Sequence, residues 1–253
     1  MAVTPRVQPV LTIVLPIFNE EANLGPLFER IDDALRKTTI PYRIVAVDDG
    51  STDGTPRVIE RFRARASLEV VRHSVNQGLG AAIRSGLMEA VRLASAGDVI
   101  VTMDADESHT PALIVRMLEA IDGGCDVVIA SRFQEGSECL GVPAHRQFLS
   151  VAASVLFRVL FPTPGVRDFT CGYRAYRVSA LRRAVEKYGD SLFEFDGFQC
   201  MVDLLLKLRW AGARFAEVPV VLRYDLKQGQ SKMRVFRTAA RTLQLAARRR
   251  LGF

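Results

Sequence analysis

Asp104-Ala105-Asp106 sets two carboxylates one residue apart, directly after the apolar run Val99-Ile100-Val101-Thr102-Met103. A buried strand that ends in paired acids gathers negative charge at a sheet edge, which is costly unless a cation neutralises it. Hard divalent ions such as Mg²⁺ or Mn²⁺ take oxygen ligands and bridge a carboxylate to a phosphate. The pair therefore suggests metal-assisted chemistry on a phosphorylated substrate; a helix cap or plain turn is the alternative. Further polar clusters sit in the same kind of place. Asn19-Glu20, Asp48-Asp49, Asn76 to Gly80 and Ser131-Arg132 each follow a short apolar run.

The elements that must position these residues alternate. Strands are expected over 11–15, 43–47, 68–72, 99–103 and 126–130. Helices are expected over 20–37, 55–66, 81–94 and 111–121, the first with Leu24, Leu27, Phe28, Ile31 and Leu35 on one face. Ser51 or Asp53 can cap the second helix. This order predicts an α/β fold, Rossmann-like, with a mostly parallel central sheet, helices on both faces and a site at the strands' C-terminal ends. After residue 132 the pattern changes. A loop is expected over 133–143, an almost wholly apolar stretch over 148–161 and a polar, aromatic segment over 168–177. A helix over 196–210, an edge strand over 214–223 with Pro219 inside it and a basic amphipathic C-terminal helix over 233–251 follow.

With 253 residues and 49% hydrophobic content, the chain suits a single large domain. The net charge of +6 favours acidic partners such as nucleotide phosphates or anionic lipid. The basic residues crowd the last turns of the chain, and no nucleic-acid-binding motif is present, so no nucleic-acid partner is expected. Four widely spaced cysteines argue for a reduced, cytoplasmic protein without a zinc site. No signal pattern and no apolar run of the ~20 residues that cross a bilayer are seen.

Pro16-Ile-Phe-Asn-Glu20, Val47-Asp-Asp-Gly-Ser-Thr-Asp53, Asn76-Gln-Gly-Leu-Gly80 and Met103-Asp-Ala-Asp106, in that order, resemble the inverting family-two glycosyltransferases with the GT-A nucleotide-sugar fold. Ser131-Arg132, Arg146 to Ser150, Asp168 to Arg174 and Gly229-Gln-Ser-Lys232 look like the dolichol- and polyprenyl-phosphate mannosyltransferase branch. The resemblance implies a single glycosyltransferase domain: a nucleotide-sugar-binding half over 10–132, an acceptor-binding half over 133–232 and the C-terminal helix over 233–253. It implies that Pro16, Phe18, Glu20, Val47 and Asp48 or Asp49 hold base and ribose, with Gly78 allowing close backbone approach. Asp104, Ala105 and Asp106 would meet the metal-bound diphosphate, and the metal is Mg²⁺ or Mn²⁺. Ser108 stands where the family often carries Gln, and its shorter side chain leaves room for water in the metal shell. Arg132, Arg146, Ser150 and Lys232 would grip donor or acceptor phosphate. Leu226 occupies a position where the branch often carries Arg. Arg174 is expected to support the 168–173 loop or an acceptor group. Asp203 falls where the family carries an acid, catalytic or structural. Arg84 either touches ligand or is solvated.

The resemblance implies one in-line displacement at an anomeric carbon. A hydroxyl acceptor would need a carboxylate base. A lipid monophosphate, with a second pKa of about 6, is already anionic and needs cations to place it. A polyprenyl-phosphate acceptor is therefore favoured, with peripheral contact to anionic lipid on the inner face of the membrane. The stretch 148–161 and the basic helix either lie at that interface or complete the fold. The alternatives are a hydroxyl acceptor, a processive synthase (disfavoured because Leu206 stands at the Gln position of Q-x-x-R-W) and an idle nucleotide-binding scaffold.

Overall fold

The computed structural model describes residues 9–64, 67–195, 197, 199–226 and 235–250. The strands are β1 (Leu11–Ile17), β2 (Tyr42–Asp48), β3 (Leu68–Arg72), β4 (Val99–Thr102), β5 (Val127–Ser131), β6 (Glu138–Leu140), β7 (Arg174–Arg177), β8 (Phe215–Pro219) and β9 (Val221–Arg223). The helices are α1 (Glu21–Arg36), α2 (Thr55–Arg63), α3 (Leu79–Leu93), α4 (Leu113–Asp122), α5 (Ala144–Leu160), α6 (Val178–Tyr188), α7 (Gln199–Trp210) and α8 (Val235–Arg250), with a 3-10 turn over Gly189–Phe193.

Seven strands form one sheet in the order β3-β2-β1-β4-β7-β5-β8. Six run parallel, and β7 runs antiparallel between β4 and β5. The nearly uninterrupted apolar runs of β1, β2, β4 and β5 follow from burial on both faces. Leu24, Leu27, Phe28, Ile31 and Leu35 of α1 are buried as their spacing predicts. Helix α3 lies close on the sheet because Gly86 has no side chain; a Cβ there would stand 2.4 Å from Val14 Cγ1. The order of strands reverses between β1 and β4, so the loops leaving those two strands flank the crevice where such sheets bind ligands.

The structure departs from the sequence reading mainly after residue 132. The segment 168–177 ends in the central strand β7, which two arginines in four residues disguise. Helix α6 and the short strand β6, paired with β9, were not expected. The segment 214–223 divides into β8, an edge strand that ends at Pro219, and β9. Helix α2 ends at Arg63, and Asp53 Oδ1 accepts the Thr55 N–H at 2.9 Å at its start.

Helix α5 buries Ser154 and Phe157 but leaves Phe148, Val151, Val155 and Val159 exposed. On α8 Leu243 is 56% exposed, while Leu245 and Ala246 are buried. Among the described residues no helix is long and apolar enough to cross a membrane.

Candidate active site

The loops leaving β1 and β2 are stitched to one another. Asn19 takes a left-handed backbone (φ 52°); its N–H donates to Ser51 Oγ at 3.0 Å and its Oδ1 accepts the Thr52 N–H at 2.8 Å. The Glu20 N–H donates to Thr55 Oγ1 at 2.8 Å, and Glu20 Oε2 accepts from Asn23 Nδ2 at 2.6 Å. These bonds hold the part-exposed Pro16, Phe18 and Glu20 at the crevice. Val47 lies opposite Pro16 in register but is fully buried against α3 beside Gly86, so its side chain offers no surface for a ribose or base.

Asp48 and Asp49 are both buried and do different work. Asp48 Oδ1 accepts the Ser51 N–H at 3.0 Å and closes the turn after β2. Asp49 frames the Gly-rich turn: Oδ1 accepts the Gln77 N–H at 2.9 Å and Oδ2 the Gly78 N–H at 2.8 Å. Asp49 Oδ1 also lies 2.7 Å from His73 Nδ1, and His73 Nε2 lies 2.9 Å from Ser85 Oγ on α3. Gly78 (φ 92°) supplies the left-handed corner from which α3 starts. Asp49 thus organises the turn rather than being presented to a ligand. Arg84, one turn into α3, is exposed and lines a cleft with Gln77, Ser85, Phe193 and Phe195.

The paired acids leave β4 on a tight turn. The Asp104 side chain is 38% exposed, whereas Asp106 is buried with Ala105 beneath the turn. Asp106 Oδ1 accepts from Ser108 Oγ at 2.5 Å and from the Ser108 N–H at 3.2 Å. Ser108 is therefore a holder of Asp106 first, in addition to any metal contact. Among the described residues no cluster of three or more His, Cys, Asp or Glu side chains can hold a metal ion. Two oxygen-donor carboxylates do suit Mg²⁺ or Mn²⁺, because such ions keep several waters and are completed by substrate phosphates.

Arg132, at the end of β5, is fixed by β7's approach loop and by α5. Its Nε and Nη2 donate to Asp168 Oδ2 and Oδ1 at 2.8 and 2.7 Å, Nη1 to Ser150 Oγ at 2.9 Å, and Nη2 also to Thr170 Oγ1 at 2.6 Å. Burial opposes the charge on Asp168, but the Arg132 guanidinium and backbone N–H groups outweigh it and hold the carboxyl below the usual range. Burial pushes the neighbouring Cys171 thiol up to about 12, with Asp168 adding to the effect. Arg146 stands one turn before Ser150 on the same face of α5. It donates to the Tyr224 hydroxyl at 2.6 Å and lies over that ring. The Arg223 N–H donates to the Ser108 carbonyl at 2.9 Å, so the end of β9 links the turn of the paired acids to Arg146.

For two residues given two possible roles, the geometry favours the structural one. Arg174 is fully buried, and its guanidinium donates to the carbonyls of Phe169, Cys171 and Met201; it braces the loop and meets no acceptor. Asp203 is buried in α7 and flanked at 2.7 Å by both Lys207 Nζ and Arg249 Nε, which suits fastening rather than proton abstraction. Lys232 and the rest of the 229–232 segment lie outside the described residues. Sequence reasoning missed the roles of Asp49, His73, Asp168 and Tyr224. Asp49 and Asp168 carried a signal, as members of quoted segments; His73 and Tyr224 carried none.

The sequence profile described as Glycosyl transferase family 2 matches residues 12–184. The chain is 32% identical over 225 residues to a dolichol-phosphate mannosyltransferase of Pyrococcus furiosus, covering 88% of this chain but only 59% of that protein. It is 33% identical to a polyprenol monophosphomannose synthase of Mycolicibacterium smegmatis (87% and 80% of the two chains). It is 34% identical to an undecaprenyl-phosphate mannosyltransferase of Micrococcus luteus (88% and 87%). In fold it is similar to glucosyl-3-phosphoglycerate synthase from Mycobacterium tuberculosis solved with Mn²⁺, UDP and glucosyl-3-phosphoglycerate. The TM-score is 0.67 at 19% identity, over 97% of this chain and 81% of that one. The mostly parallel sheet with helices on both faces is thus the GT-A fold, and the chain belongs to Glycosyl transferase family 2.

Proposed function

We propose that this glycosyltransferase moves a hexose from a nucleotide-sugar of the GDP-mannose or UDP-glucose type to a polyprenyl phosphate, with inversion and with Mg²⁺ or Mn²⁺. The three sequence relatives, named for transfer to lipid phosphates of this kind, support the acceptor class. The observation that carries it in this chain is the state of Asp203. The acid considered as a general base is sealed between Lys207 and Arg249. An acceptor that brings its own negative charge needs no such base.

Asp104 and Asp106 would hold the metal, which supplies charge neutralisation at the departing nucleoside diphosphate when bound. Pro16, Phe18 and Glu20 border the base and ribose, and the turn at Gly78 allows the backbone to approach them. Arg132 and Arg146, brought to one face of α5, orient the acceptor phosphate, Arg132 directly beside Ser150. The acceptor's chain then runs along α5, whose exposed Phe148, Val151, Val155 and Val159 form one stripe. Exposed Arg158 beside it and Arg241, Arg248 and Arg250 on α8 give that side of the molecule a basic rim suited to anionic lipid.

The test is radiolabelled transfer, with GDP-mannose and UDP-glucose offered separately to polyprenyl phosphate in liposomes, with and without chelator. Chelator-sensitive label in the organic phase is expected and names the donor. Donor turnover with label only in the aqueous phase would replace the lipid phosphate with a soluble hydroxyl acceptor. No turnover of either donor would defeat both donor assignments.

A further inference from the structure

We infer that His109 is a positioning residue that sets the aim of the Asp104 carboxylate, an inference that rests on the metal-dependent reading above. The sheet stops supporting the backbone just before the paired acids. Thr102 pairs with Arg174, and the Met103 N–H still donates to the Val14 carbonyl at 3.2 Å. The next amide, that of Asp104, has left the ladder and donates to His109 Nδ1 at 3.0 Å. A backbone amide only donates, so Nδ1 is the bare nitrogen and the ring proton sits on Nε2. That Nε2 lies 4.0 Å from Asp104 Oδ2. One ring thus accepts from the main chain of Asp104 and stands beside the carboxylate of the same residue.

The ring is itself immobilised. His109 is buried and stacks on Tyr173, with centroids 4.8 Å apart and planes 26° from parallel. The buried Tyr173 donates its hydroxyl to the Thr110 carbonyl at 3.0 Å, which pins the residue after His109. Tyr173 follows Gly172, whose carbonyl accepts from Thr102 Oγ1 at 2.7 Å; a Cβ on Gly172 would lie 3.8 Å from Asp104 Oδ1. The imidazole is therefore referenced to the end of β4 and the start of β7 together. Each acid of the pair has a separate holder: Ser108 for Asp106 and His109 for Asp104. Groups that orient metal ligands in this way commonly govern affinity by 10- to 100-fold.

The experiment titrates Mn²⁺ alone, followed as the free ion by electron paramagnetic resonance, into wild type, His109→Ala, His109→Asn and His109→Gln. Asparagine places Oδ1 where Nδ1 stood and can still accept from the Asp104 amide; glutamine moves the acceptor one carbon away. The Ala and Gln variants are expected to bind Mn²⁺ roughly tenfold or more weakly, with Asn recovering most of the loss. Melting curves identify any variant that fails to fold, and the comparison of Asn with Gln stands without the Ala variant. Equal Mn²⁺ affinity in all folded variants, or Asn as weak as Gln, overturns the role of His109. Wild type that binds no Mn²⁺, either alone or with GDP or UDP present, would instead remove the metal assignment, and this inference with it.

Discussion

Asp168 grips Arg132 through both carboxylate oxygens, 2.8 Å to Nε and 2.7 Å to Nη2, and Asp168 itself is wholly buried. Its carboxyl is held below the ordinary value, since Arg132 and the backbone outweigh burial. A carboxyl depressed on folding contributes stability above its unfolded pKa of about 3.9 and loses it as pH falls through the folded value. Asp168→Asn should lower stability at pH 7 by about 3 kcal/mol, the scale for breaking a buried pair. In urea melts the gap between wild type and variant should shrink below about pH 4. A constant gap from pH 7 to pH 3 would contradict the pairing.

The grip of Ser108 on Asp106 separates loss of a metal ligand from loss of its holder. Asp106→Ala should lower transfer roughly a thousandfold, about 4 kcal/mol of barrier. Ser108→Ala, which removes only the 2.5 Å bond, should lower it roughly tenfold, and excess Mn²⁺ should recover part of that. Equal losses for the two variants, neither responsive to metal, would make Ser108 part of the reacting machinery.

Asp203 joins α7 to the last turn of α8 through Arg249, which also meets Glu194 at 2.6 Å. Asp203→Asn should therefore cost about 3 kcal/mol of stability. The folded fraction should keep its kcat within about twofold, since no interaction special to the transition state is lost. A collapse of kcat in folded enzyme would restore Asp203 as the base and reopen the hydroxyl acceptor.

Among the described residues, the apolar stripe on α5 carries the most exposed large apolar side chains: Phe148 is 72% and Val159 74% exposed. Burying such a side chain contributes about 1.5–3 kcal/mol. Replacing both by Ser should weaken sedimentation with phosphatidylglycerol vesicles at least about tenfold, while donor hydrolysis in solution stays unchanged. Unaltered sedimentation would move lipid contact to another face.

The first half of the molecule was legible because its signals are periodic and local. Apolar runs mark β1 to β5, and each polar cluster follows one of them. The second half hid its key strand. Two arginines in four residues argue against a central strand, and no local pattern announces that the Arg174 guanidinium is solvated by carbonyls from 169, 171 and the distant 201. Asp49 was misread for a similar reason. Its partners, His73, Gln77 and Gly78, are near only once β2 and β3 are paired. Side chains committed to their own protein look, in sequence, like side chains waiting for a ligand.

Strands β4 and β5 are not paired with each other; what joins them is β7, which arrives more than 40 residues after β5 in the chain. A fragment ending at residue 132 would carry a slot in the middle of its sheet, with two raw edges facing each other across it. The segments before and after residue 132 are therefore interlaced, not concatenated. Recombination that exchanges the second half must carry the slot-filling strand with it, and a clean cut-and-paste at the apparent midpoint would leave neither piece able to close its sheet.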